Sequence, residues 1–443
     1  MHWIKLTMLS LLMLLAVSQL GFLSCAITSG PPSSDKMKPM NSAAAADWRL
    51  YDPNPNHLWN RLYRTLYQRI GPDGKEYGYD EIDPLLWYST RYLLTNPAYQ
   101  QASSILDEFA STHGEKLIKD PTKRAMLQRD LWAIFDWTAE VQVESQEKTN
   151  LQIKLARVIR SLALSPDEIA RLPDSYDQAT HAKVFAAGYD PNQPGQAFLP
   201  PNLFDPKGPW VQLSSGGSDP AAIGHVTGFS GRSNFLVFIR LPDGRDATLR
   251  YLQTIAAFPK PWVSDPSNPG RQIPNLDLPQ FPVGTQLALV RKIVLIDNQG
   301  SLRPTNIIET VQIRVHRKIP PTSEKIFNND RTSARTALDV FEFKLSRPKL
   351  FADESGGLSS VAAGEKQFKF FQSHGIDFEQ HDALRDCANC HYPPGVHALL
   401  TRRREGILPS VNPNDEADRL QRWKSRQRDW GLLVGLWQSQ PGH

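Results

Sequence analysis

The spacing of apolar residues changes from helical to strand and back along this chain, and those changes limit the folds open to it. Up to about residue 190 the spacing is helical. Trp59, Leu62, Tyr63, Leu66, Tyr67 and Ile70 recur at intervals of three and four, and the pattern stops at Gly71-Pro72. Further helices are predicted over 84–94, 97–111, 122–143 and 151–164, with Met126, Leu127, Leu131, Ile134 and Phe135 along one side of the third. Ser165-Pro166-Asp167-Glu168 supplies an N-cap serine, a proline at the first helical position and a glutamate three residues after the cap. This is a capping box, and it predicts a short helix to Leu172. The Trp and Tyr residues of this half sit at helical spacing and read as packing.

Residues 191–210 are rich in proline and read as a linker or a long surface connection. Strand signals follow. The apolar run Phe235–Leu241 ends at Pro242-Asp243-Gly244, a turn that leads into a second strand or a short helix. In 284–300, 307–318 and 337–347 apolar residues take strand spacing, with Val311, Ile313 and Val315 alternating against Gln312, Arg314 and His316. A mostly antiparallel sheet is predicted, arranged as a sandwich, with the proline-rich stretch Phe258–Pro282 as an irregular loop. Helical patterning then returns. Gly364–Gly375 is predicted as a short helix with Phe368 and Phe371 inward. Asn414–Trp437 is predicted as a longer one, capped by Asn414 and striped by Trp423, Trp430 and Trp437. The fold class is therefore α+β, with a helical region at 52–190, a β-rich region at 191–350 and a small helical region at 351–443.

The first 25 residues read as a signal peptide, because Lys5 precedes an almost unbroken apolar run, Leu6–Leu20. Gly21-Phe22-Leu23-Ser24-Cys25 resembles the bacterial lipoprotein cleavage box, which implies acylation of Cys25. An ordinary cleavage site and an uncleaved anchor are the alternatives. Each leaves the body outside the cytoplasm, in the periplasm or cell envelope. Residues 26–51, rich in Ser, Pro, Ala and Lys at their start, read as a flexible tether. A net charge of +4 spread over 443 residues gives no reason to expect a nucleic-acid partner.

Three cysteines cannot supply a disulfide framework for a body of this size. With Cys25 assigned to the N-terminus, Cys387 and Cys390 remain, and they lie in Cys387-Ala388-Asn389-Cys390-His391. Covalent attachment of haem c needs two thiols three positions apart to meet the two vinyl groups. It also needs a histidine directly after the second thiol to reach the iron. Composition alone would produce this pattern about 0.0005 times per chain, so chance does not account for it. The motif and the export signal agree, since haem attachment follows export in bacteria.

The motif resembles the attachment site of c-type cytochromes. The resemblance covers at most the last ninety or so residues, and the region 351–443 is cytochrome c-like on that ground. It implies one haem c, thioether bonds to Cys387 and Cys390, and His391 as the proximal iron ligand. The broader chain resembles secreted bacterial proteins with one such motif near the C-terminus, which implies no activity. Small cytochromes c place a methionine well downstream as the second axial ligand, but here every methionine precedes residue 127. The distal candidates are then His374, His381, His397 and, further off, His443, and five-coordinate iron is the alternative. Other readings of the cysteine pair are a zinc site with His391 or His397, a disulfide and idle thiols.

No His-Glu-x-x-His, Gly-x-x-x-x-Gly-Lys or Gly-x-Ser-x-Gly motif occurs, so hydrolase and nucleotide readings lack support. The acidic pairs Asp80-Glu81 and Asp353-Glu354 read as solvated, and Arg402–Arg404 as an exposed basic face. Three functions remain open. One is a membrane-tethered monohaem electron-transfer protein acting on a redox partner in the cell envelope. Another is a haem enzyme or sensor with an open iron position. The third is a non-haem lipoprotein that binds a partner or ligand through its β region.

Overall fold

In the N-terminal half the predicted periodicity becomes six helices: α1 (Leu58–Tyr67), α2 (Ala98–Ser111), α3 (Pro121–Glu140), α4 (Gln146–Ser161), α5 (Pro166–Ala170) and α6 (Ser175–His181). The computed structural model describes residues 48–85, 91–266, 268–319, 337–368, 380–391, 395–400, 409–411 and 415–439. Helix α1 buries Trp59, Leu62, Tyr63, Leu66 and Tyr67, the three-and-four stripe of the sequence. Burial of each leucine contributes about 1.5–3 kcal/mol. Asp120 caps α3 by accepting from the Thr122 and Lys123 N–H groups, with Pro121 at the first helical position. The capping box of α5 is reciprocal: Ser165 Oγ accepts from the Glu168 N–H at 3.2 Å, and Glu168 Oε2 accepts from the Ser165 N–H at 2.8 Å. The helix predicted over 84–94 is instead, among the described residues, a single 3₁₀ turn at Tyr92–Leu94. A short hairpin, β1 (Arg69–Ile70) and β2 (Glu76–Tyr77), follows α1.

The middle of the chain forms β3 (Val211–Ser215), α7 (Ile223–Gly228), β4 (Ser233–Arg240), α8 (Gly244–Ala256), β5 (Trp262–Asp265), β6 (Asn268–Pro274), β7 (Gln286–Ile296), β8 (Leu302–His316) and β9 (Leu338–Leu345). With β10 (Leu358–Ser360) and β13 (Pro409–Ser410) these build an antiparallel sheet in the order β10-β9-β8-β7-β4-β3-β13. The α+β class is as the sequence indicates. The architecture is one large sheet with helices against it, not two sheets face to face. One face carries Phe238, Val290, Val311, Ile313 and Phe343, and packs against Tyr176, Phe198, Leu199 and Trp210. In the proline-rich stretch 191–210, Phe198, Leu199, Leu203 and Trp210 are buried, so its second half is a packed cover over the sheet. Phe258–Pro282 also departs from expectation: it contains the β5–β6 hairpin, a separate two-stranded ribbon where proline does not interrupt a central ladder.

The C-terminal region contains α9 (Arg347–Phe351), β11 (Lys366–Phe368), β12 (Gln380–Asp382), α10 (Ala383–Cys390), α11 (Val396–Leu400), α12 (Glu416–Lys424) and α13 (Arg428–Ser439). The segment read as a helix with Phe368 inward is in part strand β11, paired with β12, although Phe368 is indeed buried. The Trp stripe is a packing stripe, split between α12 and α13. Trp430 lies 6.1 Å from Trp132 of α3, and the Trp437 carbonyl accepts from Arg160 at 2.6 Å. Residues 46–443 cluster as a single compact unit, so the three regions interlock.

Helix α3 differs most from an amphipathic reading, because its polar side is buried as fully as its apolar side. Arg129 bonds Asp83 and Glu309, both at 2.5 Å. Arg291 of β7 bonds the same two carboxylates at 2.9 and 2.7 Å. Asp130 pairs with Arg347 at 2.5 Å, and Asp136 with Arg232 at 3.0 Å and Lys424 at 3.1 Å. Lys424 also pairs with Asp429. Five cations and five carboxylates thus neutralise one another in the interior. Nearby, Asp80 accepts from the Arg347 N–H and burial pushes the Glu81 carboxyl up, which corrects the solvated reading of that pair. Asp353 and Glu354 are exposed as expected.

Candidate functional site

Helix α10 starts at Asp382, whose carboxylate accepts from the Arg385 N–H at 3.0 Å. Positions three apart on a helix share a face, so one turn presents Cys387 and Cys390 on the same side. His391 caps the end, its N–H donating to the Cys387 carbonyl at 3.2 Å. Both thiols are free; Cys387 is partly buried and Cys390 exposed. Cys387 Sγ lies 3.6 Å from Glu342 Oε2 of β9. Burial, reinforced by Glu342, holds the Cys387 thiol well above its usual pKa.

The His391 ring is oriented by a short chain of contacts. Its Nδ1 lies 3.3 Å from the Ala398 carbonyl of α11. A carbonyl only accepts, so Nδ1 carries the hydrogen and Nε2 the lone pair, the arrangement of a metal-ligating histidine. Helix α11 is itself fixed: Val396, Leu399 and Leu400 are buried against Val237, Ile239, Leu287 and Phe281, on the opposite sheet face to the one described above. At the start of α11, Gln280 Oε1 accepts from the Val396 N–H at 2.9 Å. Gly395 makes that approach possible, since its φ is +59° and a Cβ there would meet Gln280 Oε1 at 1.8 Å.

Opposite His391 stands His225 of α7. The two imidazole rings are parallel within 7°, with centroids 6.2 Å apart. Phe235 of β4 also packs on the His225 ring, at 5.4 Å between centroids. The turn that ends α7 is pinned by α12: the Ser230 carbonyl accepts from Lys424 Nζ at 2.6 Å. Gly231, at φ +70°, lies so close to Trp423 that a Cβ would approach within 2.7 Å. Arg291 lays its guanidinium over Phe229, 3.6 Å from the ring centre. The neutralised charge cluster thus buttresses the helix that carries His225. Burial first, then Arg314 and Arg291, pull the His225 pKa down to about 4, so the ring is neutral near pH 7.

Beneath α10 the polar side of β8 is buried rather than solvated. Gln312 opposes Glu342 in the β8–β9 register, which places Gln312, Arg314 and Glu342 on the face that α10 covers. Arg314 is 6 % exposed, and its Nη1 has no hydrogen-bond partner among the described residues. Burial lowers its pKa to about 10, against a smaller opposing contribution from Cys387. His316, next along this face, is buried against Phe281 at 4.8 Å and is held neutral by burial and Arg314, its pKa down to about 3.

Of the histidines singled out from sequence, His397 is fully buried with both ring nitrogens engaged. Nδ1 lies 3.1 Å from Gln280 Nε2 and Nε2 lies 3.0 Å from the Asn275 carbonyl. Its lone pair is committed to Gln280. His381 lies on β12 with Nδ1 3.9 Å from Asp386 Oδ2. His374, His443, Cys25 and Arg402–Arg404 fall outside the described residues. His225 was not legible as a site residue: it sits in Ala222-Ile223-Gly224-His225-Val226, where no motif marks it, and only its ring pairing with His391 singles it out.

Among the described residues no group of three or more His, Cys, Asp and Glu side chains is arranged to hold a metal ion by itself, and no helix is long and apolar enough to cross a membrane. No protein-family model matches this chain, and no curated protein or solved structure matches it either.

Proposed function

We propose that this is an exported monohaem protein of the cell envelope that transfers single electrons, with haem c held by Cys387 and Cys390 and His391 as axial ligand. The observation that carries this reading is the pairing of two thiols on one helical face with a histidine whose Nδ1 is fixed on the Ala398 carbonyl. Arg314 fits the same group. Among the described residues no carboxylate pairs with this buried guanidinium, and a propionate-bearing macrocycle would supply an anion for it.

Bound there, the haem supplies a one-electron iron couple whose potential follows its axial ligands and burial. The chain does the rest. Cys387 and Cys390 would hold the group through their sulfurs, His391 would offer it Nε2, and the contact of His391 Nδ1 with the Ala398 carbonyl of α11 keeps that ring from turning away. Cys390 lies at the exposed end of α10, which leaves that edge of the site open to a redox partner in the envelope. An acyl group on Cys25 would hold the protein at the membrane without a spanning helix.

In-gel haem staining after denaturation tests the reading, on the full chain exported alongside a cytochrome c maturation system. Stain is expected at the mass of the chain and absent from the Cys387→Ala/Cys390→Ala double variant. An unstained wild type would leave the non-haem lipoprotein reading.

A further inference from the structure

We propose that His225 is the second axial ligand, so that iron attached at Cys387 and Cys390 is closed between His225 and His391; this rests on the haem reading above. Histidine nitrogen binds such metals at about 2.0–2.1 Å, and the nitrogen lies about 1 Å from the centre of its ring. Two imidazoles on opposite sides of one iron therefore have centroids about 6 Å apart. The separation of His225 and His391 is 6.2 Å with the planes 7° apart, although the two residues lie on different helices far apart in sequence.

The surroundings agree with that role. His225 lies on the face of α7 toward β4, where Phe235 packs at 5.4 Å from its ring. Helix α7 is short, yet it is anchored at its end by Lys424 and Gly231, so the ring is presented from a fixed support. Among the described residues His397 lies on Gln280 and Asn275, and His225 is the histidine whose ring is parallel to that of His391. A centre closed on both sides favours electron transfer over ligand activation, which deepens the proposed function.

The test uses the stained, full-length holoprotein. Ferric and ferrous spectra of the wild type are expected to be low-spin and unchanged by carbon monoxide. His225→Ala should become high-spin, bind one carbon monoxide per haem and return to low-spin with added imidazole. His225→Met should stay low-spin with a raised midpoint potential, because methionine favours the reduced iron. If the alanine variant does not fold, the methionine variant and near-infrared magnetic circular dichroism of the wild type, which reports a His/His pair, decide the matter. A stained wild type that binds carbon monoxide, or a His225→Ala protein that stays low-spin and inert to it, overturns this inference and leaves the haem reading intact. An unstained wild type overturns both, before any His225 variant is made.

Discussion

Two buried regions of this protein treat charge in opposite ways. Around α3 every one of ten buried ionic side chains has an oppositely charged neighbour, with Asp83 and Glu309 each shared by Arg129 and Arg291. Around α10 the buried Arg314 has a nitrogen without a hydrogen-bond partner among the described residues, and the nearby Cys387 and Glu342 are pushed toward their neutral forms. A closed network holds a fold together and asks for no further group. Arg314 has no ionic partner among the described residues, so the comparison separates an interior whose charges are paired from one where a cation is buried beside groups pushed toward neutrality.

The largest effect should come from opening the closed network. Asp83→Ala strips Arg129 and Arg291 of a shared carboxylate and should cost about 3–5 kcal/mol in chemical denaturation. Arg314→Met, an apolar replacement of similar length, should leave the haem-free chain as stable as the wild type or more so. Equal losses from the two variants would erase the contrast.

Asp136 gives the next largest effect, as a dependence on pH. Burial raises its pKa to about 6 despite Lys424 and Arg232, so the folded state binds this proton more tightly than the unfolded state. Its contribution to stability is greatest at low pH and declines as pH rises from about 4 to about 6, by about 3 kcal/mol. Asp83 acts with the opposite sign: burial alone would raise its pKa, but Arg129, Arg291 and Arg232 together hold it well below its usual value. Its contribution is present above pH 4 and is lost as pH falls further. Thermal unfolding of Asp136→Asn against pH should lack the decline between pH 4 and 6; a slope unchanged from wild type would show that Asp136 does not titrate there.

The smallest effect lies at the site. Gln280→Ala leaves the Val396 N–H and His397 Nδ1 without their partner and should cost about 1–3 kcal/mol. If the proposed haem is attached, the substitution should also loosen the Ala398 carbonyl against His391, read as a shifted midpoint potential with the haem stain retained. An unchanged potential would mean that α11 does not orient the His391 ring.

Much of this arrangement could be read from residues close together in the chain. The stripe of α1, the capping box of α5 and the Trp repeat of α12 and α13 are local patterns, and the structure contains them. The alternation along β8 was legible as a strand, but nothing in it told which face Gln312, Arg314 and His316 would meet. They are buried because α8, α10 and α11 cover that side of the sheet. The strand at Lys366–Phe368 escaped because its partner, Gln380–Asp382, lies beyond the intervening segment, and pairing decided over local helical spacing.

The sequence by itself determined the helical and strand halves, the two-thiol and histidine motif and the lack of any downstream methionine, because these follow from spacing within a turn or a strand. Only the tertiary structure decided which buried charges would be paired, and which histidine ring would lie parallel to that of His391. Those outcomes depend on side chains brought together from distant elements: Asp83 with Glu309, Asp136 with Lys424, His225 with His391. Burial removes the solvent that would otherwise make each charge and each imidazole indifferent to its neighbour, and no pattern along the chain records where that happens.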